Sequence, residues 1–168
     1  MLAASSRKHI ASAGRLGSGP ALGPQSPARL TDIDMDHCGR LLDHVHLRVS
    51  DLAASRRFYR AALEAIGRLE AFGEAEGCFF ADEFYVDKAE GRVSHVHLAF
   101  QARSEDEVRR FHAMTLSAGG RDHGGPGPRH YHPGYYAAFV LDPDGNNIEA
   151  VYHGPTRRSA DSVEVTRL

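Results

Sequence analysis

Three side chains in this sequence have the types and setting to share a metal ion: His44, His97 and Glu149. Two imidazoles and one carboxylate on a concave sheet make a facial triad, which leaves positions open for substrate, water or O2. Ligands of this softness suit Fe(II), Mn(II), Zn, Ni or Co and do not choose among them. Glu149 sits in Asn146-Asn-Ile-Glu-Ala-Val151, where Ile148 and Ala150 face one way and Glu149 and Val151 the other. A carboxylate in so apolar a strand is costly unless it is paired or bound to a cation. If it leaves the ion, Glu149 is also the candidate catalytic base.

Two of the eleven histidines are selected by a repeat. His44-Val-His-Leu-Arg-Val-Ser-Asp51 leads into Arg56-Arg57-Phe58, and His97-Leu-Ala-Phe-Gln-Ala-Arg-Ser104 leads into Arg109-Arg110-Phe111. At the same offset of 53, Leu63 meets Leu116, Ala65 meets Ala118 and Gly67 meets Gly120. The tetrapeptide His-Val-His-Leu recurs at 51 instead, but that offset aligns four residues only. At 53, only His44 and His97 are histidine in both copies, while His46 meets Ala99 and His95 meets Leu42.

The elements that must position these residues follow from pattern. Leu42–Val49 alternates like a strand. Asp51 caps a helix that runs to about Ile66 and stops at Gly67. Short strands follow near 68–72, 77–81 and 83–87. The second copy offers a strand over Val93–Gln101 and a Ser104-Glu-Asp-Glu107 capping box. Its helix stops at Gly119-Gly120, and strands are expected near 121–123, 135–141 and 147–153. Asp142-Pro-Asp-Gly145 is a tight turn, with Pro143 setting φ and Gly145 taking φ > 0. The Gly/Pro-rich stretch 124–134 reads as a loop over the site. The order is β-α-β-β-β twice, an α+β architecture of two paired modules forming a half-open mixed barrel with a cleft.

Domain boundaries are expected at 1–36 (an extension), 41–153 (one domain, its modules about 41–90 and 91–153) and 154–168 (a tail). The 168 residues suffice for one ordinary domain. A net charge of -2 argues against nucleic acid or an anionic membrane as a dedicated partner. No apolar run is long enough to span a bilayer. Cys38 and Cys78 lack zinc or disulfide spacing, which suits a reducing, cytoplasmic setting. The first 31 residues carry no acidic residue, with Arg7, Lys8, Arg15 and Arg29 among Ser and Ala. That composition is mitochondrial-transit-like; the other reading starts the protein at Met35.

Three stretches occur in order: Leu42-Asp-His44-Val-His-Leu-Arg-Val-Ser-Asp51 through Phe58-Tyr59, then His97-Leu-Ala-Phe100, then Phe139-Val-Leu-Asp142-Pro-Asp-Gly145-Asn-Asn-Ile-Glu149. Together they resemble the vicinal oxygen chelate superfamily of glyoxalase I, bleomycin-resistance proteins and extradiol dioxygenases. The resemblance covers about 41–153 and implies a divalent metal held by His44, His97 and Glu149. It also implies chelation of a small oxygenated substrate through two vicinal oxygens, by a lyase, isomerase or dioxygenase. The alternative is a non-catalytic binding protein of the bleomycin-resistance type. A homodimer is implied, with the site either within one chain or shared by two. Glyoxalase I members usually add a fourth ligand, a glutamate late in the first module, and Glu83 is the nearest candidate. Arg48, His46, His95, His130, His132, Tyr136 and His153, with Tyr131 and Tyr135, are candidates for contacting substrate or supporting the ligands. For each of them the other reading is a rim residue.

Overall fold

A computed structural model describes residues 41–164 and 166; the expectations for 1–36 lie outside the described residues. The first module contains β1 (Val45–Val49), α1 (Leu52–Ala65), β2 (Phe72–Ala75), β3 (Cys78–Ala81) and β4 (Phe84–Lys88). The second contains β5 (His97–Gln101), α2 (Glu105–Ser117), β6 (Arg121–Pro128), β7 (Tyr136–Leu141) and β8 (Asn147–Tyr152). Their strand orders match: β1-β4-β3-β2 in one sheet and β5-β8-β7-β6 in the other. In each sheet the first and last strands of the module pair in parallel and the rest are antiparallel. Among the described residues no strand ladder joins the two sheets, so the barrel they form is not closed.

The caps recur at the offset of 53. Asp51 Oδ1 accepts from the Ala53 and Ala54 N–H groups, at 2.9 and 3.0 Å. Ser104 Oγ accepts from Glu107 N at 3.2 Å, while Glu107 Oε2 reaches Arg103 N rather than the cap's own N–H. The helix stops differ. Gly67 at φ +66 ends α1, and Gly119 at φ +104 ends α2, one residue before the position the repeat assigns. Gly120 serves close packing instead. A Cβ there would meet Val140 Cγ1 at 2.5 Å, Phe58 Cε2 at 2.7 Å and the Thr115 carbonyl at 2.9 Å.

Alternation decides which side chains reach the cleft. Leu47 and Val49 of β1 are buried in a core with Phe58, Tyr59 and Leu63 of α1 and Val108 and Phe111 of α2. Each large apolar side chain so buried contributes roughly 1.5–3 kcal/mol. His46 and Arg48 therefore point to the opposite, open face. On β5, His97, Ala99 and Gln101 do the same.

Four boundaries differ from the sequence reading. The first strand starts at Val45 and the fifth at His97; ahead of β5, Ser94 bonds back to Arg48 of β1 and Val96 N–H is taken by the Asn146 side chain instead of a strand neighbour. Leu69–Ala71 forms a 3-10 turn, so β2 starts at Phe72. The stretch read as a loop from Gly124 is strand as far as Pro128, since β6 continues along β7 with two register shifts that absorb its glycines. Beyond Gly154 the described residues hold no helix or strand.

Candidate metal centre and cleft

Glu149 is the pivot of the second module's open face. Its side chain is 3% exposed, and both oxygens are engaged. Oε2 lies 2.9 Å from His97 Nε2, and Oε1 accepts from the Tyr135 hydroxyl at 2.7 Å. Adjacent parallel strands supply the first pair, with His97 opposite Asn147 and Ala99 opposite Glu149. Burial and the Glu149 carboxylate push the Tyr135 hydroxyl well above the ordinary phenol range, so it stays a donor. Phe139, directly opposite Glu149 on β7, closes the wall, with its ring 6.0 Å from that of His97.

Tyr135 is itself boxed in. Its ring lies 4.8 Å from Tyr131, 5.2 Å from His132 and 5.0 Å from His153. His132 and His153 stack with centroids 5.1 Å apart, and His132 Nε2 lies 2.8 Å from His153 Nδ1. His132 Nδ1 faces the Pro133 carbonyl at 2.8 Å. A neutral His132 donates there and accepts from His153. Two of the expected rim residues, His132 and His153, thus pack against the tyrosine that holds the glutamate.

The remaining candidates are dispersed. His44 is 64% exposed just ahead of β1, bonded at 2.7 Å to its neighbour Asp43. His46 Nε2 stands 3.0 Å from Asp87 Oδ1, though off the line a ring N–H would take, and edge-on to Tyr85. Arg48 is exposed on the same face, tied through its backbone to Ser94 rather than to Glu149. His95 and His130 are exposed. Tyr136 lies on the face of β7 opposite to Phe139, where its hydroxyl accepts from Arg109 Nη1 at 2.9 Å.

Does this donor set fit a metal? His97 and Glu149 place a nitrogen and an oxygen 2.9 Å apart. That is the spacing of two ligands at right angles on an ion about 2.1 Å from each. Among the described residues of one chain, no third His, Cys, Asp or Glu joins them. The pair fits two corners of a site and leaves the rest to water, substrate or another chain.

The register also locates a fourth position. At the offset of 53, His46 is equivalent to Ala99; Tyr85 faces His46 as Glu149 faces Ala99. Tyr85, not Glu83, therefore occupies in the first module the place Glu149 holds in the second. Glu83 is exposed and lies ahead of β4. Periodicity alone could not find Tyr85, because its place depends on how β1 and β4 pair.

Residues 41–150 match the family model of the Glyoxalase/Bleomycin resistance protein/Dioxygenase superfamily. The chain is 32% identical over 128 residues to the uncharacterized protein YqjT of Bacillus subtilis (strain 168), covering 66% of this chain and 97% of that one. A glyoxalase/bleomycin resistance protein from Albidiferax ferrireducens T118 superposes with a TM-score of 0.58 at 29% identity, covering 67% of this chain and 98% of that one. A family enzyme from Burkholderia phytofirmans PsJN superposes with a TM-score of 0.51 at 18% identity, over 65% and 95% of the two chains, and shows the fold alone.

Proposed function

From the premise that this chain belongs to the glyoxalase/bleomycin resistance protein/dioxygenase superfamily, we propose that it is a divalent-metal-dependent enzyme acting on a small oxygenated molecule. We place its metal in a site shared between two copies of the chain. His97 and Glu149 of one protomer and His44 of its partner are the ligands. The observation that carries this reading is a 3%-exposed carboxylate paired with a half-exposed histidine on an open face. Burying a carboxylate there is costly, and a cation offsets the cost. The exposure of His44 and its separation from the pair support a second copy as the source of the third ligand.

His97, Glu149 and the partner's His44 would hold a divalent ion, which would supply Lewis-acid chemistry to an oxygenated substrate. The chain's own residues do the rest. Tyr135 fixes the rotamer of Glu149 so that Oε2 faces His97. Phe139 keeps water from one side of the pair. Glu149 is the nearest group able to take a proton from a bound carbon acid. Tyr85 at the fourth corner supports a three-ligand site with open positions over a site closed by a second carboxylate.

Elemental analysis tests this directly. Purified protein is expected to hold one Fe, Mn, Zn, Ni or Co per chain, and His97→Ala and His44→Ala each to lose it. Mixing those two variants, unfolded and refolded together, restores part of the metal only if the site is shared. A His44→Ala protein that keeps stoichiometric metal removes His44 from the site. Metal-free wild-type protein that still binds small molecules leaves the binding-protein reading in its place.

A further inference from the structure

The metal ligands do not explain why β6 contains Gly124-Gly-Pro-Gly127. The side chain lying across that strand is Arg129. A Cβ on Gly127 would stand 3.1 Å from Arg129 Nη1, and one on Gly124 would stand 3.7 Å from Nη2 and 3.1 Å from the Phe139 ring. Glycine at these two positions opens a trough, and the guanidinium fills it. Nη2 donates to the Gly125 carbonyl at 2.7 Å and Nη1 to the Pro128 carbonyl at 3.1 Å. The guanidinium carbon lies 5.2 Å from the Phe139 centroid. Phe139 is the residue opposite Glu149 and lies against the His97 ring, so the cation stands one aromatic ring away from the His97–Glu149 pair. Its charge also acts on the Tyr135 hydroxyl that holds Glu149.

Arg129 is half-buried, and among the described residues its hydrogen-bond acceptors are these two neutral carbonyls. Arg109, by contrast, engages Glu105 and Asp106. A partly desolvated guanidinium pinned by neutral acceptors keeps donors in reserve and lacks a counter-ion. Its fork matches the oxygens of a carboxylate or a phosphate-type group, and its rigid tether removes most of the entropy cost of holding one.

We propose that Arg129 is the anion-recognising residue of this cleft, and that the substrate is a small oxygenated compound carrying an oxyanion. The inference rests on the functional reading for the location of the cleft. It separates this chain's substrate from neutral diols and from cationic compounds.

Calorimetric titration of the full, metal-analysed protein tests it with ligands that keep two vicinal hydroxyls and differ in the charge of the attached group. One series is 3,4-dihydroxybenzoate, catechol and dopamine; the other is glycerate and propane-1,2-diol. In at least one series wild-type protein is expected to bind the anion about tenfold more tightly than the neutral ligand. Arg129→Gln collapses that preference to near unity and leaves the neutral ligand's affinity unchanged, while Arg129→Lys retains part of it. Competition by acetate against inorganic phosphate then distinguishes a carboxylate from a phosphate-type group. If Arg129 merely braces β6, Arg129→Gln lowers Tm and leaves the anion preference intact, which overturns the proposal. So does wild-type protein that shows no preference in either series, or binds none of the five ligands. Metal content of the same samples separates the two readings. Full metal with no anion preference sinks this inference alone. Anion preference without metal sinks the metal reading alone.

Discussion

The two open faces share a frame and differ at its polar tips. In the first module, Gly73 pairs with Phe80 and Phe80 with Tyr85; in the second, Gly124 pairs with Phe139 and Phe139 with Glu149. A glycine on the edge strand with a phenylalanine ring against it occurs twice, in the same register. Beside that lattice, His46, Arg48, Tyr85 and Asp87 of the first face stand where the second has Ala99, Gln101, Glu149 and Val151. Side chains on the helix-facing side are constrained by a common core. Those on the open side lie outside that shared core, so they can diverge without disturbing it. The second face carries a buried carboxylate, a boxed tyrosine and a pinned arginine, and the proposed metal and anion sites lie there.

The largest expected effect comes from exchanging the roles of the two faces. Glu149→Gln is expected to lower metal affinity by more than about 100-fold, a larger loss than removing a supporting residue causes. Asp87→Asn on the first face leaves metal content unchanged, although Asp87 is also a carboxylate beside a histidine. Equal losses in elemental analysis would erase the distinction between the faces. Next come the two glycines that the repeat equates. Gly120→Ala costs about 3 kcal/mol, because the new methyl collides with a backbone carbonyl and two core side chains. Gly67→Ala costs about 1 kcal/mol, from its positive φ alone. Urea denaturation would measure both, and a reversed order would mean that the helix stops, not the packing, carry the constraint.

The last comparison tests the joint between the modules. Tyr59→Phe removes a buried 2.7 Å hydrogen bond to Asp142, worth about 1.5–3 kcal/mol. Burial first, and the Asp142 charge second, hold the Tyr59 hydroxyl well above its ordinary range. A raised folded-state value means that the folded protein retains a proton the unfolded chain gives up. The resulting stability is complete below about pH 10 and is lost progressively above it. Wild type is therefore expected to lose stability between about pH 10 and 11, and Tyr59→Phe to lose less of it over the same range. Parallel alkaline profiles for the two proteins would remove Tyr59 from that joint.

How much of this was legible in the residues depends on how far each signal reaches along the chain. Asp51, Ser104 and the Asp142–Gly145 turn act within a few residues, and each appears where its local chemistry puts it. Glu149 stood out as a charge in an apolar strand, and His97 as the repeat counterpart of His44; the pairing of β5 with β8 brings His97 and Glu149 together. His44 was singled out by the same symmetry, and within one chain it stands apart from that pair, exposed and bonded to Asp43. The glycines of β6 misled, because glycine and proline lower strand propensity while here they make room for Arg129. The position of Tyr85 depends on a register between strands 39 residues apart, which no local pattern encodes. Tyr135 was visible only as one rim aromatic among several; its bond to Glu149 sets it apart.

The Asp142–Gly145 turn does more than reverse the chain. Asp142 accepts from Asn146 N, Asn146 Nδ2 and Asp144 N while receiving Tyr59 from α1, and Asp144 receives both the N–H and the hydroxyl of Ser50. Two residues of the second module, Asp142 and Asp144, thus satisfy polar groups of the first. Separating the halves strands the buried Tyr59 hydroxyl and the buried Asp142 carboxylate together, so the amides of β4 and those of β8 should exchange with solvent through one shared opening event. What began as two copies of one unit has become a single cooperative body, and neither copy expressed alone would retain a folded state.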